Sequence, residues 1–435
     1  MAEPEDLSLV ALARALAKAG RTDEAAAVVG RLLAQEFGLA ATNFKINADI
    51  YSLNSLNGTF DAGGAPLFFK FHQEENEGAM SGEYYRARLL ADAGLPVDLP
   101  IHASATPGRQ ILVYRRRTDA RLADVVRALD AAPDPPMQKD ALAAESALNQ
   151  RTMEVYRRTL HPITPAQSAA EPIHRLFHER LLTPGAPGNQ GGRLGGRFAS
   201  FYEDKLFDLP GLKLPWSELS RLTPAINGIR YERTIGELFD EAFARMAPDL
   251  LGGGGVTAHG DAHNANVWFT GEPGARELVL FDPAFAGSDV PALLAEIKTT
   301  FHNVFAHPFW LYEPAEAAKH YKAAATWTPA TLHLVHNCAL SPVRREILEL
   351  KARDIWKPLL ALLKERELLP LDWRRVVRLG LFLCPTLVMN LRAGAEGGSH
   401  SPVSSAIGLA TAITMGAEPV TPDLLSGLLD SITPA

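Results

Sequence analysis

The stretch TAHGDAHNANVWF, Thr257 to Phe269, constrains this chain more than any other. Gly, Asp and Asn are poor helix formers and favour turns, so HGDAHNAN reads as a loop. It leads directly into VWF, a strand-like run. A loop that turns back into a strand can aim a carboxylate, Asp261, and a carboxamide, Asn266, into one cleft. An apolar strand, Leu278 to Phe281, follows and delivers a second carboxylate, Asp282, at its end. Transfer of a γ-phosphoryl group asks for little more. It needs an acceptor hydroxyl held in line and cations on the phosphate oxygens, with little covalent work by the protein. One carboxylate can face the hydroxyl while the other two oxygen donors suit Mg²⁺.

Competing patterns fail on spacing. His259 and His263 stand four apart, as in H-E-x-x-H, but that zinc signature needs a continuous helix and a Glu base. The run Gly252 to Gly255 lacks the Lys-Ser/Thr of a P-loop and reads as a hinge before a strand. GGSHS, Gly397 to Ser401, is not G-x-S-x-G and reads as a polar loop.

Composition narrows the classes further. Lys plus Arg number 43 and Asp plus Glu 50, a formal net charge of −7. A dedicated nucleic-acid binder shows a basic domain or stripe, so no nucleic-acid partner is expected. Arg115-Arg116-Arg117, the tight basic run, reads as a solvated turn. Two cysteines, Cys338 and Cys384, make neither a disulfide framework nor a zinc spacing, which fits a reducing cytoplasm. MAEPEDLSLV lacks the basic and apolar regions of a secretory signal. LGLFLCPTLVMNL, Leu379 to Leu391, is shorter than the roughly 20 residues of a membrane-spanning helix. It reads as a buried helix, and no membrane partner is expected.

With 435 residues, 47% of them hydrophobic, the chain can build more than one core. Residues 6–37 predict two amphipathic helices, with Gly20 stopping the first and Thr22 or Asp23 capping the second. From Thr42 to Tyr114 short β-like runs dominate: an Asn-rich segment with a turn at Asn57-Gly58, the strand APLFFKFH carrying Lys70, a helix closed by Gly94, and the strand RQILVYRRR. Beyond about residue 118 the pattern is mostly helical to the C-terminus, interrupted by a Pro- and Gly-rich loop at 183–197 that reads as a lid or an unstructured insertion.

HGDAHNAN followed by LVLFDPAFAG resembles the aminoglycoside phosphotransferase and choline kinase-like family, relatives of the protein kinases. Their catalytic loop reads H-G-D-x-H-x-x-N, matched here at His259, Gly260, Asp261, His263 and Asn266. The resemblance implies a protein-kinase-like, two-lobed α+β fold. A small antiparallel-sheet N-lobe at 42–117 would follow a helical hairpin at 1–41 and precede a large, mainly helical C-lobe at 118–435. It also implies roles. Asp261 would orient the acceptor hydroxyl or take its proton, His259 would prop the loop, and His263 would approach the γ-phosphate. Asn266 and Asp282 would hold Mg²⁺. Lys70 would contact the α- and β-phosphates of ATP and pair with Glu83 on the next helix, with Glu74, Glu75 and Glu77 as competitors. Residues 111–117, including Val113 and Arg115, would form the hinge that receives adenine.

The chain departs from the family in three places. The glycine-rich phosphate loop is replaced by NADIYSLNSLNG, Asn264 stands where many relatives have Pro, and GSDVPALLAEIK follows the metal motif. Asp289 would keep part of the role of that last segment, whose second acid is replaced by Leu or displaced to Glu296.

The activity so implied is ATP- and Mg²⁺-dependent phosphorylation of a small-molecule hydroxyl. Ala339 to Ala435 holds 10 Asp/Glu and 11 Lys/Arg, without the acidic bias that a polycationic aminoglycoside would call for. Sugars, amino sugars and amino alcohols are therefore favoured over an aminoglycoside. A choline-type acceptor would want an aromatic cage. Trp310, Tyr312, Trp327, Trp356 and Trp373 are present, but such aromatics more often build cores. The reading of another class, a nucleotide-binding pseudokinase, would be signalled by loss of the base or a metal ligand. Neither is lost.

Overall fold

The structure, a computed structural model, describes residues 8–47, 55–72, 78–106, 108–183, 185–187, 195–394 and 400–435, with backbone alone at 55, 72 and 78–85. Residues 48–54 of the segment that replaces the phosphate loop, the acids Glu74, Glu75 and Glu77, and much of the 183–197 loop fall outside these residues. The architecture is α+β, as the motifs imply. Two compact units form: Met1–Asp92, Pro96–Asp119 and Phe281–Ala284 make the first, and Ala93–Leu95, Ala120–Leu280 and Phe285–Ala435 the second.

The first unit is built on one antiparallel sheet in the order β1-β2-β3-β5-β4. Its strands are β1 (Thr42–Ile46), β2 (Ser55–Ala62), β3 (Ala65–His72), β4 (His102–Ser104) and β5 (Ile111–Arg115). Two helices, α1 (Leu9–Lys18) and α2 (Thr22–Phe37), share its core. Val10, Ala13 and Leu16 on α1 and Val28, Leu32 and Leu33 on α2 join Phe60, Leu67, Phe69, Phe71 and Val113 in a single cluster. β3 explains the division of labour by its period of two. Leu67, Phe69 and Phe71 are buried in this cluster, each worth about 1.5–3 kcal/mol in transfer terms. Lys70 necessarily faces the other side.

Two local expectations are corrected here. Gly20 (φ +74) does end α1, but the N-cap of α2 is Arg21, whose guanidinium pairs with Glu24. Asp23 and Glu24 in the first turn supply the negative charge that a helix N-terminus favours. Asn57-Gly58 is not a turn; it lies inside β2, opposite Lys70 and Phe69. A Cβ on Gly58 would sit 2.4 Å from the Lys45 carbonyl oxygen, so glycine is there for close strand approach. The β2–β3 turn is Gly63-Gly64, both with positive φ, as a tight two-residue hairpin requires.

The second unit hangs on a 25-residue helix, Pro135–Thr159, capped by the Asp134 side chain on Met137 N–H (3.0 Å). A three-stranded antiparallel sheet has Gly253–Ala258 at its centre, between His161–Ile163 and Gly287–Pro291. Gly253 to Gly255 of the glycine run are thus part of the strand and not a hinge before it. Added Cβ atoms would lie 2.6 Å from Leu363 at Gly254 and 2.4 Å from Ile163 at Gly255. A second small sheet pairs Val267–Thr270 with Glu277–Leu280. The apolar segment expected as a buried helix falls in Trp373–Val388 up to Val388, and its last residues, Met389–Leu391, lie beyond the helix end. Among the described residues no helix is long and apolar enough to cross a membrane.

One region read as helical is not. Ala323–Trp327 and Thr331–His336 form an antiparallel hairpin in a four-stranded sheet with Thr223–Ile226 and Ile229–Arg230. Ala325, Leu332 and Leu334 are buried while His333 and Val335 are exposed. That alternation outweighs the helix propensity of the alanines.

Several histidines of this unit are buried neutral. Burial lowers His174, His307 and His400 to about 4. In the unfolded chain they would take up protons near pH 6.5. Their contribution to stability is therefore complete above about pH 6.5 and is lost as pH falls toward 4. Melting temperature is expected to drop progressively from pH 7 to 4.5. A flat profile over that window would show that these imidazoles are not held neutral.

Candidate active site

The strand Gly253–Ala258 ends at the loop singled out by the sequence. Thr257 and His259 are buried, and the chain then turns at Gly260, with φ +77. A Cβ there would lie 2.6 Å from the Phe285 carbonyl oxygen, so both the left-handed backbone and the close approach demand glycine. Gly260→Ala is expected to destabilise the unit by about 1–3 kcal/mol, read by chemical denaturation. A neutral result would mean that the loop can relax away from Phe285.

The loop is tied to itself. Asp261 N–H donates to His259 Nδ1 (3.3 Å), His263 N–H to the Asp261 carbonyl (2.9 Å), and Asn266 N–H to the His263 carbonyl (2.7 Å). Asn266 Nδ2 also donates to the Asp261 carbonyl (2.9 Å). The buried Asn264 N–H donates to Asn303 Oδ1 (2.8 Å), a bond that a Pro at this position could not make. His263 Nδ1 accepts from Ala265 N–H (3.3 Å), which leaves its Nε2 3.7 Å from Asp261 Oδ1. These bonds bring Asp261, His263 and Asn266 together. Among the described residues, Asp261 Oδ1 has no hydrogen-bond partner, although its side chain is only 13% exposed.

Beneath the loop lies a cavity of about 20 Å³, lined by His259, Gly260, Glu145, Glu296, Lys351 and Asn303 among others. That is room for one water molecule. Lys351 is fully compensated there, with Glu145 at 3.3 Å, Glu296 at 3.6 Å and Asn149 Oδ1 at 2.7 Å. Glu296 also accepts from Tyr156 Oη (2.7 Å) and Thr299 Oγ1 (2.8 Å). Of the two acids considered for the segment after Asp282, Glu296 therefore belongs to the ground under the His259–Asn266 loop. Asp289 pairs with His161 (2.7 Å) and takes no part in it.

Sequence reasoning missed a further group. Lys298 Nζ lies 3.7 Å from Asp261 Oδ1 and 2.9 Å from His302 Nε2, and His302 Nδ1 contacts Tyr312 Oη. The available signal was a Lys and a His four apart inside the apolar stretch ALLAEIKTTFHNVF.

In the first unit, Lys70 Nζ donates to Asp282 Oδ1 at 2.7 Å. Arg86 donates to the Ala284 carbonyl, so two cations hold the Phe281–Ala284 segment. Asp282 adopts φ +58, a left-handed conformation that Asp tolerates better than most residues. Glu83 lies on the helix Gly78–Ala93, but its side chain is outside the described residues. Val113 corrects the expected hinge. It is fully buried in β5 and opposite Phe69 and His102, with its carbonyl taken by Ile101 N–H (2.7 Å). A central strand residue cannot offer its backbone to a base. Arg115 is exposed at the end of β5, Arg117 pairs with Asp98 (3.1 Å), and the chain passes to the second unit at Asp119–Ala120. The aromatic residues split as cores do: Trp310, Trp356 and Trp373 are buried, while Trp327 and Tyr312 keep exposed surface.

Compared with known proteins, the chain matches no family model and no curated sequence. Solved structures do align with it. A thermostable mutant of aminoglycoside phosphotransferase APH(4)-Ia, in a complex with ADP and hygromycin B, aligns at TM-score 0.45 and 12% identity, covering 90% of this chain and 99% of that one. A microcompartment-associated aminopropanol kinase aligns at 0.40 and 12%, covering 89% and 95%. Spectinomycin phosphotransferase APH(9)-Ia, with ADP and spectinomycin, aligns at 0.36 and 13%, covering 89% and 98%. Likeness at this level carries nothing about chemistry, which stands on the residues above.

Proposed function

We propose that this chain is an ATP- and Mg²⁺-dependent kinase acting on a hydroxyl of a small molecule. The observation that carries the reading is Asp261: a carboxylate held by a self-bonded loop, with one oxygen free of hydrogen-bond partners among the described residues. In this role Asp261 accepts the proton of the acceptor hydroxyl. The acceptor oxygen then forms its bond to the γ-phosphorus as the bond to the β-phosphate oxygen breaks and ADP leaves. His263 stands beside Asp261 and presents Nε2 towards the phosphoryl group.

Each proposed ligand suits Mg²⁺ by its own chemistry. Asn266 spends its Nδ2 on the Asp261 carbonyl and so keeps its carboxamide oxygen for a cation. Asp282 keeps a second carboxylate oxygen beyond the one that takes Lys70. Both are hard oxygen ligands, and Mg²⁺ draws its remaining ligands from phosphate and water. The ion would neutralise charge on the β- and γ-phosphate oxygens. Lys70 would release Asp282 to the metal and turn to the α- and β-phosphates.

Sugars, amino sugars and amino alcohols are the favoured acceptors, with an aminoglycoside as the alternative. The test is ADP release from MgATP across these four acceptor classes, with Asp261→Asn as control. Release that depends on one acceptor and vanishes in the variant establishes the kinase. Nucleotide binding without turnover on any acceptor, or on water, would favour a pseudokinase. Failure to bind MgATP or MgADP at all would overturn both readings.

A further inference from the structure

We propose that Lys298 is a positioning residue for Asp261: its ammonium, fixed from behind by His302 and Tyr312, holds the Asp261 carboxylate in the orientation that receives the acceptor hydroxyl. The inference rests on the kinase reading for its catalytic consequence, but the pairing itself does not.

The geometry starts from a helical turn, Ile297–Thr300, that continues as the π-helical turn Phe301–Phe305. Widened turns of this kind recur at functional sites, because they re-aim side chains that a regular helix would place elsewhere. Lys298 is 4% exposed, and its Nζ lies between Asp261 Oδ1 (3.7 Å) and His302 Nε2 (2.9 Å). Burial holds His302 well below the usual imidazole range, and the Lys298 charge adds to this, so the ring is neutral. An ammonium donating to Nε2 leaves the ring proton on Nδ1, facing Tyr312 Oη. Tyr312, His302 and Lys298 thus form a chain of fixed polarity that ends at Asp261.

A buried ammonium is costly unless it is compensated. The two buried lysines among the described residues of this unit differ on that point. Lys351 has two carboxylates and a carboxamide oxygen, and the carboxylates Glu145 and Glu296 raise it above the usual lysine range despite burial. Lys298 is depressed by burial; Asp261 opposes that shift, and Arg180 and Arg197 add to it. Cys384 also faces it, but burial pushes that thiol up to about 12, so it stays neutral. Asp261 is therefore the carboxylate on which Lys298 depends, and Asp261 Oδ1 is the oxygen that carries the proposed function. A lysine placed for stability alone would resemble Lys351. One placed beside a working carboxylate resembles Lys298.

The test uses the full chain with MgATP and water as the acceptor, so that no substrate need be known. Lys298→Met is expected to lower kcat for ADP release by about 10–100-fold, the range for groups that orient a reacting residue, with KM for MgATP within about twofold. In the Asp261→Asn background the same change is expected to cost nothing more, since residues that act as one unit are not additive. Melting supplies the second arm. Asp261→Asn should lower the melting temperature, and adding Lys298→Met should return part of the loss. Independent losses in both arms, or an unchanged kcat in Lys298→Met, would overturn the proposal. Should Lys298→Met not fold, Lys298→Gln carries the same cycle. Absence of ADP release by the unmodified chain on water and on every acceptor would count against the kinase reading, and the melting cycle would still decide the pairing.

Discussion

Asp261→Asn is expected to slow phosphoryl transfer from MgATP by about 10²–10⁴-fold, the usual contribution of a positioned general base. The substitution keeps the size of the side chain and removes its ability to take a proton. It leaves the loop alone, because Asp261 takes part in the bonds that shape it through its backbone. The Asp261 N–H remains on His259, and the Asp261 carbonyl still receives His263 N–H and Asn266 Nδ2. The loss should therefore appear in kcat, with KM for MgATP nearly unchanged, because Lys70 and Asp282 are untouched. Steady-state kinetics on the acceptor found by the panel measures it. A variant that keeps more than about a tenth of the activity would remove Asp261 from the role of base. Melting would fall modestly, since the Lys298 ammonium loses its carboxylate.

The loop His259–Asn266 was legible because its residue types are poor at anything else. Gly, Asp and Asn between two strands leave few alternatives to a loop, and the positive φ of Gly260 agrees with its place there. The Lys70 strand was legible from the alternation of Leu67, Phe69 and Phe71. Most of what escaped had one cause in common: the deciding partner is distant in sequence. Gly58, Gly254 and Gly255 look like turn or hinge glycines until Phe69, Leu363 and Ile163 are seen against them. Val113 looked like hinge because β4 could not be seen to pair on its far side. Lys298 lies 37 positions after Asp261 in an apolar run, where a lysine gives no hint of its counter-charge. The hairpin at Ala323–His336 was masked by three alanines whose propensity favours a helix, whereas the burial alternation belongs to a sheet.

Asp282→Ala is expected to abolish turnover while the first unit stays folded. The pair it removes is partly exposed, with Lys70 13% and Asp282 40% accessible, so its worth to stability is only about 0–1 kcal/mol. Alanine tolerates the φ of +58 less well than Asp, which adds a cost of about 1–2 kcal/mol. Asp282→Asn separates the two effects, because Asn accepts a left-handed backbone and lacks only the charge. A metal bound by a neutral oxygen in place of a carboxylate neutralises the phosphates less well, and several kcal/mol of transition-state stabilisation correspond to about 10³-fold in rate. Both variants should lose at least that much and should need more Mg²⁺ for whatever rate remains, measured by titrating Mg²⁺ at fixed ATP. If Asp282→Asn keeps full activity with an unchanged Mg²⁺ requirement, Asp282 is not the ligand. Its bond to Lys70 would then be a structural pair that fastens the Phe281–Ala284 segment, with Arg86 on the Ala284 carbonyl as the second fastening.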